Sequence, residues 1–126
     1  MIVRSYHDLK STDKAVSDAK WTSVRMLLAG DRMGFSFHIT TLEAGSEHVF
    51  EYKNHFESVY CISGSGYITD LTDDKTYEIS QGVMYALDKH DRHKLVADEE
   101  LVMACCFNPP VVGDEVHQKD GSYAAS

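Results

Sequence analysis

The sequence predicts an all-β domain of barrel or sandwich type, with a short helix near its start. Three observations predict it. Short runs of alternating or β-branched residues recur at 22–28, 35–42, 48–53, 56–62, 66–71, 76–79, 83–87, 93–97 and 100–107. Turn residues separate these runs. The two prolines are adjacent, at Pro109-Pro110, beyond the last run.

Taken in order, residues around 7–18 read as the helix. The first run ends at Gly30-Asp31-Arg32, the second at Glu43-Ala44-Gly45, and Gly64-Ser65-Gly66 breaks the chain after 56–62. Asp73-Asp74-Lys75 and Gln81-Gly82 bound the run 76–79, and Asp98-Glu99-Glu100 precedes the last run. Many short strands with regularly placed turns are the pattern of a sandwich or barrel. The tail, 113–126, is polar with two glycines and offers little apolar surface to hold it down.

The chain has 126 residues, and its length and ordinary composition suit one globular domain over 1–126. Twelve basic against twenty acidic residues give a net charge of −8. That balance opposes nucleic-acid binding, which rests on clustered Lys and Arg. The acid is concentrated in the second half, where residues 64–126 carry twelve acidic and five basic side chains, and it reads as a solvated surface. The longest apolar run, Leu101–Phe107, is too short to span a bilayer, and the start lacks the apolar stretch of a signal peptide. Cys61, Cys105 and Cys106 are odd in number and contain no CxxC. Reduced thiols and a cytoplasmic location follow as the expectation, with Cys61 and Cys106 as core residues.

Strand parity groups the polar side chains. Trp21, Ser23 and Arg25 share one face of a strand, as do His38 and Thr40, His55 and Glu57, Cys105 and Phe107, and Glu115 and His117. Either these faces look into a partly polar interior that forms a ligand site, or they face solvent while their neighbours fill the core. Parity alone leaves both open.

Two spacings resemble the motifs of the cupin superfamily. Glu57 is followed after six residues by Gly64, and His93 lies eleven residues after Gly82. Asp88 and His90 stand where the second cupin motif has its proline and glycine, and the histidine pair of the first motif is missing, since 50–53 reads Phe-Glu-Tyr-Lys. A three-histidine metal site cannot be assembled. A replacement set is available in Glu57, Tyr85 and His93, with two hard oxygen donors and one imidazole, which leaves coordination positions open. Each also has a plain structural reading: Tyr85 as packing, His93 as a surface histidine near a turn, Glu57 as a solvated strand residue. His90 reads as a turn residue, and His55, on the parity of Glu57, as a hydrogen-bonding neighbour that orients it.

A closer resemblance covers nearly the whole chain. The segments Gly34-Phe35-Ser36-Phe37-His38, Tyr52-Lys53-Asn54-His55, Glu57-Ser58-Val59-Tyr60-Cys61-Ile62, Tyr85 to His93, Phe107-Asn108-Pro109-Pro110 and Gly113-Asp114-Glu115-Val116-His117 resemble the ectoine synthases, and Trp21-Thr22-Ser23-Val24-Arg25 fits as well. The resemblance implies a jelly-roll-like cupin barrel. It implies an enzyme, a hydro-lyase, that closes the ring of N-γ-acetyl-L-2,4-diaminobutyrate with loss of water to give the compatible solute ectoine. It implies that Glu57, Tyr85 and His93 hold a metal, iron(II) first, with zinc or another divalent cation as the alternative. Trp21, Arg25, Thr40, Tyr52, Cys105, Phe107, Glu115 and His117 fall where the family lines its substrate pocket. Of these, Glu115, His117, Tyr52 and Thr40 are candidates for catalysis, with the proton acceptor left open between Glu115 and His117. Arg25 is the candidate clamp for the substrate carboxylate. The family also implies a cytoplasmic homodimer, here expected to pair through edge strands, and the tail from 113 is expected to close over the barrel mouth. An iron-dependent dioxygenase and a non-catalytic ligand-binding cupin are the competing readings.

Overall fold

A computed structural model describes residues 1–113. Its elements, in chain order, are α1 (Tyr6–Leu9), β1 (Ala15–Asp18), β2 (Trp21–Leu27), a 3-10 turn (Ala29–Asp31), β3 (Ser36–Leu42), β4 (Glu47–Phe50), β5 (Phe56–Ser63), β6 (Ser65–Asp70), β7 (Lys75–Ser80), β8 (Met84–Leu87), β9 (His93–Ala97) and β10 (Leu101–Asn108). The expected strands are present. The N-terminal helix is confined to four residues, and the rest of the segment around 7–18 contains β1 instead, whose Ala15-Val16-Ser17-Asp18 pairs with β2 from Ala15 opposite Val24 to Asp18 opposite Trp21. The β-branched Val16 beside a ready partner strand outweighs a weak helical preference.

The strands form two antiparallel sheets, ordered β1-β2-β3-β10-β5-β8 and β4-β9-β6-β7. They face one another like the halves of a jelly roll, but among the described residues no ladder joins β8 to β7, so the two sheets form an open sandwich rather than a closed barrel. Alternation decides which side is inside. In β3 the pattern places Ser36, His38, Thr40 and Leu42 inward, and in β5 Glu57, Val59 and Cys61. In β10 it buries Leu101, Met103, Cys105 and Phe107. Cys106 therefore lies on the opposite face of β10, half-buried rather than in the core where the sequence reading put it, while Cys61 is buried as expected.

The core is led by Trp21, Leu42, Phe50, Val59, Ile79, Leu95, Leu101 and Met103. The polar alternative left open by parity is the one adopted, because Arg25, His38, His55, Glu57 and His93 are all buried. Burying so many polar groups is costly unless they find partners. The inner end of the sandwich is organised around those partners.

Candidate active site

Strands β2, β3, β4, β5, β8, β9 and β10 and the loop before β5 converge on one internal cavity of about 20 Å³. Glu57, Tyr85 and His93 line it, together with Trp21, Thr40, Tyr52, Cys105 and Phe107 and the apolar Leu42, Phe50, Leu95 and Met103. Strand register produces the convergence. Glu57 on β5 lies opposite Phe107 on β10 and opposite Leu87 on β8, and Tyr85 is two residues back along β8 opposite Val59. His93 opens β9 in the facing sheet, opposite Phe50.

Aromatic rings wall the cavity. Phe107 meets Tyr52 edge-to-face with ring centroids 5.2 Å apart, and meets His55 in the same way at 5.8 Å. Tyr52 and Phe50 each lie 5.9 Å from the imidazole of His93. Thr40 and Cys105 meet across the β3–β10 pair, with Sγ 3.5 Å from the Thr40 hydroxyl.

The electrostatics of the three donors share one cause. Burial pushes the Glu57 carboxyl up to about 8, moderated by the Cys105 thiol. Burial also pushes the Tyr85 phenol up, with the nearby Glu57 adding to the rise. Burial holds the His93 imidazole below its ordinary value, opposed by its bond to Asp91. The His93 Nδ1–H donates to the Asp91 carbonyl at 2.9 Å, so the lone pair belongs to Nε2.

These residues fit a divalent cation. Two oxygen donors and an imidazole with its tautomer already set border a space the size of about one water molecule. A cation there would favour the ionised carboxyl and phenol that burial alone disfavours. Among the described residues no three His, Cys, Asp or Glu side chains cluster for a metal, and the third donor here is a tyrosine.

Arg25 is not among the residues that line this cavity. It lies against Trp21, with Cζ 5.8 Å from the indole centroid. Its Nε donates to the Ser23 hydroxyl at 3.0 Å and its Nη1 to the Gly113 carbonyl at 2.7 Å. Ser23 is 3.4 Å from His38 Nδ1, His38 Nε2 is 3.0 Å from the Ser36 hydroxyl, and that hydroxyl accepts from Val111 N at 3.1 Å. A continuous buried polar chain thus runs from β2 and β3 to residues 111–113. Burial first, then the charge of Arg25 and the neighbouring His55, hold His38 down to about 3. Glu115, His117 and the expected closing tail lie outside the described residues.

The sequence reading missed the aliphatic lining, because Leu42, Leu95 and Met103 carry no signal that separates a cavity wall from core. It also passed over the structural work of Ser36 and His90. Ser36 has inward parity with His38 and could have been found that way.

The whole chain, residues 1–126, matches the family model described as ectoine synthase. The chain belongs to the ectoine synthase family. The L-ectoine synthase of Hyphomonas neptunium is 55% identical over 127 aligned positions, covering 99% of this chain and 94% of the relative. That of Saccharophagus degradans is 52% identical over 123, covering 98% and 93%. The crystal structure of the ectoine synthase from P. lautus superposes with a TM-score of 0.87 at 44% identity, covering 90% of this chain and 81% of that one. At 11% identity the Cnp3 cupin domain of Schizosaccharomyces pombe still superposes at 0.61, over 73% of this chain and 66% of its own, which shows the shared cupin fold alone. This ectoine synthase family member buries Arg25, His38, His55, Glu57 and His93 in that fold. Among the described residues no helix is long and apolar enough to cross a membrane.

Proposed function

We propose that this protein is an L-ectoine synthase that closes N-γ-acetyl-L-2,4-diaminobutyrate into ectoine. In that reaction the α-amine nitrogen bonds to the acetamide carbonyl carbon, and the carbonyl oxygen leaves as water. The observation that carries the reading is the convergence of Glu57, Tyr85 and His93 with Trp21, Thr40, Tyr52, Cys105 and Phe107 on one cavity, in a chain of this family.

Glu57, Tyr85 and His93 would hold the metal, with iron(II) the first candidate and zinc the alternative. Bound there, it supplies the Lewis acidity that makes an acetamide a better electrophile. The rest of the work belongs to the walls. An open-chain substrate has to be folded back until amine and carbonyl are in near-attack contact, and such alignment is worth up to roughly 7–11 kcal/mol. Trp21, Tyr52 and Phe107 are rigid, buried rings suited to holding that fold and keeping water out. The Thr40 and Tyr52 hydroxyls offer hydrogen bonds to the reacting polar groups. Arg25, beside Trp21, remains the candidate clamp for the substrate carboxylate. The same reading includes a cytoplasmic homodimer.

The test is anaerobic incubation of the iron-loaded protein with the γ-acetyl substrate, with chromatographic detection of product. Ectoine formed without oxygen supports the reading and removes a dioxygenase. A protein that binds ectoine but forms none overturns it.

A further inference from the structure

The loop between β4 and β5, residues 51–55, delivers two buried rings to the site, yet neither ladder holds it. The β4–β9 pairing ends at Phe50, and the β5 pairing begins at Phe56. Tyr52 is buried and lines the cavity, and His55 is buried against Phe107. Between them, Lys53 and Asn54 are exposed. Such a segment needs an outside tie to keep two inward rings in place.

His90 supplies one. Its Nδ1 lies 2.8 Å from the Tyr52 carbonyl oxygen and 3.1 Å from that of His55. Both partners can only accept, so Nδ1 carries the hydrogen and shares it between them. The ring is stacked on Phe56, with centroids 4.6 Å apart and 25° between planes, which fixes the direction of the N–H. His90 adopts φ 55°, a left-handed conformation uncommon outside glycine but visited more readily by Asn, Asp and His. Three residues further on, His93 enters the cavity with its own Nδ1 committed to Asp91. The short connection from β8 to β9 therefore carries the imidazole that ties down the loop and leads directly into the imidazole that faces the cavity.

We propose that His90 is a positioning residue: its Nδ1–H, bridging the Tyr52 and His55 carbonyls, sets the Tyr52 ring relative to His93. It touches neither the cavity nor a substrate within it, and acts through the loop backbone. Its effect on turnover rests on the function proposed above, whereas its effect on the loop does not.

Three variants separate the donor from the stack and from the backbone conformation. His90→Asn keeps an N–H at nearly the same place and tolerates positive φ. His90→Gly relieves the backbone and removes the donor. His90→Phe keeps a ring for Phe56 and removes the donor. Hydrogen exchange of residues 51–55, bound iron, thermal midpoint, kcat and KM are measured for each. Loss of the donor in Gly and Phe is expected to lower kcat by roughly ten- to a hundredfold, since small misplacements of positioned groups cost that much. Exchange in 51–55 should rise in the same two variants, with bound iron unchanged. His90→Asn should restore kcat to within about threefold of the parent, the level expected when a cap-like donor is conserved.

The proposal is overturned if Asn behaves like Gly and Phe, or if Gly and Phe retain the parent kcat and exchange. It is also overturned if iron, thermal midpoint and kcat fall together in all three. If the parent forms no ectoine, the proposed function fails by itself, and the exchange of 51–55 still decides the role of His90.

Discussion

Arg25 reaches from the middle of β2 to the carbonyl oxygen of Gly113, 2.7 Å away, and so fastens the end of the described chain to the sheet that carries Trp21. The same guanidinium holds Ser23 and flanks the indole. Arg25→Met keeps much of the volume and removes the bonds to Ser23 and Gly113. Loss of charge-assisted bonds at a buried site is expected to cost about 2–4 kcal/mol in unfolding free energy. The chain's single tryptophan is Trp21, so its fluorescence should shift in the folded variant. Unchanged denaturation and unchanged emission would show that Arg25 fastens nothing.

His38 gives the fold a defined acid sensitivity. It is held down to about 3 by burial and by Arg25 and His55, and it sits between Ser23 and Ser36. In the unfolded chain it takes up its proton near 6.5, whereas the folded state resists until about 3. The unfolded state therefore gains protons first as pH falls. The stability is fully present above about pH 6.5 and declines by about 1.4 kcal/mol per pH unit below it. His38→Gln should lack that portion of the slope. Urea unfolding of both proteins at pH 7, 6 and 5 measures the difference, and parallel curves would count against it.

Two glycines at positive φ should respond very differently to alanine. A Cβ on Gly64 would come within 2.0 Å of the Glu100 carbonyl oxygen, whereas one on Gly45 meets nothing within 4 Å. Their φ values are 96° and 77°. Gly45→Ala carries the conformational penalty alone, about 1 kcal/mol, while Gly64→Ala must also displace backbone and should exceed about 3 kcal/mol. Chemical denaturation of the two variants checks the ordering.

Tyr85→Phe removes one oxygen from the cavity and leaves the ring in place. If Tyr85 holds the metal, bound iron per chain should fall and turnover should drop at least about tenfold, in line with loss of a metal-site group. Full iron content in the variant would take Tyr85 out of the donor set.

Much of this architecture was legible because alternation is a strong signal. His38 and Thr40, or Cys105 and Phe107, were grouped by parity, and each pair is buried on one face. The convergence of Glu57, Tyr85 and His93 was readable from motif spacing and family resemblance, since chain distance says nothing about two sheets closing on each other. Arg25 was grouped correctly with Trp21 and Ser23, and all three are buried. That its long side chain extends to the Gly113 carbonyl was not legible, because parity does not encode reach. The strand at Ala15–Asp18 was hidden by its brevity, because four residues carry too few alternations to outweigh a helical reading. His90 was illegible for a different reason: its partners are carbonyl oxygens, which every residue has.

The cavity is built from parts that differ in how readily they can yield. Cys105 and Phe107 sit on β10, which is flanked on both sides, by β3 and by β5. They cannot shift without breaking two ladders at the centre of the larger sheet, so their side of the cavity moves only when the molecule unfolds. Tyr85 stands on β8, the outermost strand of that sheet, and Tyr52 on a loop outside every ladder. Phe50 stands likewise on β4, the outermost strand of the smaller sheet, so accommodation of a bulkier or longer guest falls to these edge and loop residues. Attempts to widen the range of accepted compounds should therefore leave the anvil of β10 and the Tyr85 oxygen untouched and recast the jaw at Phe50 and the loop 51–55.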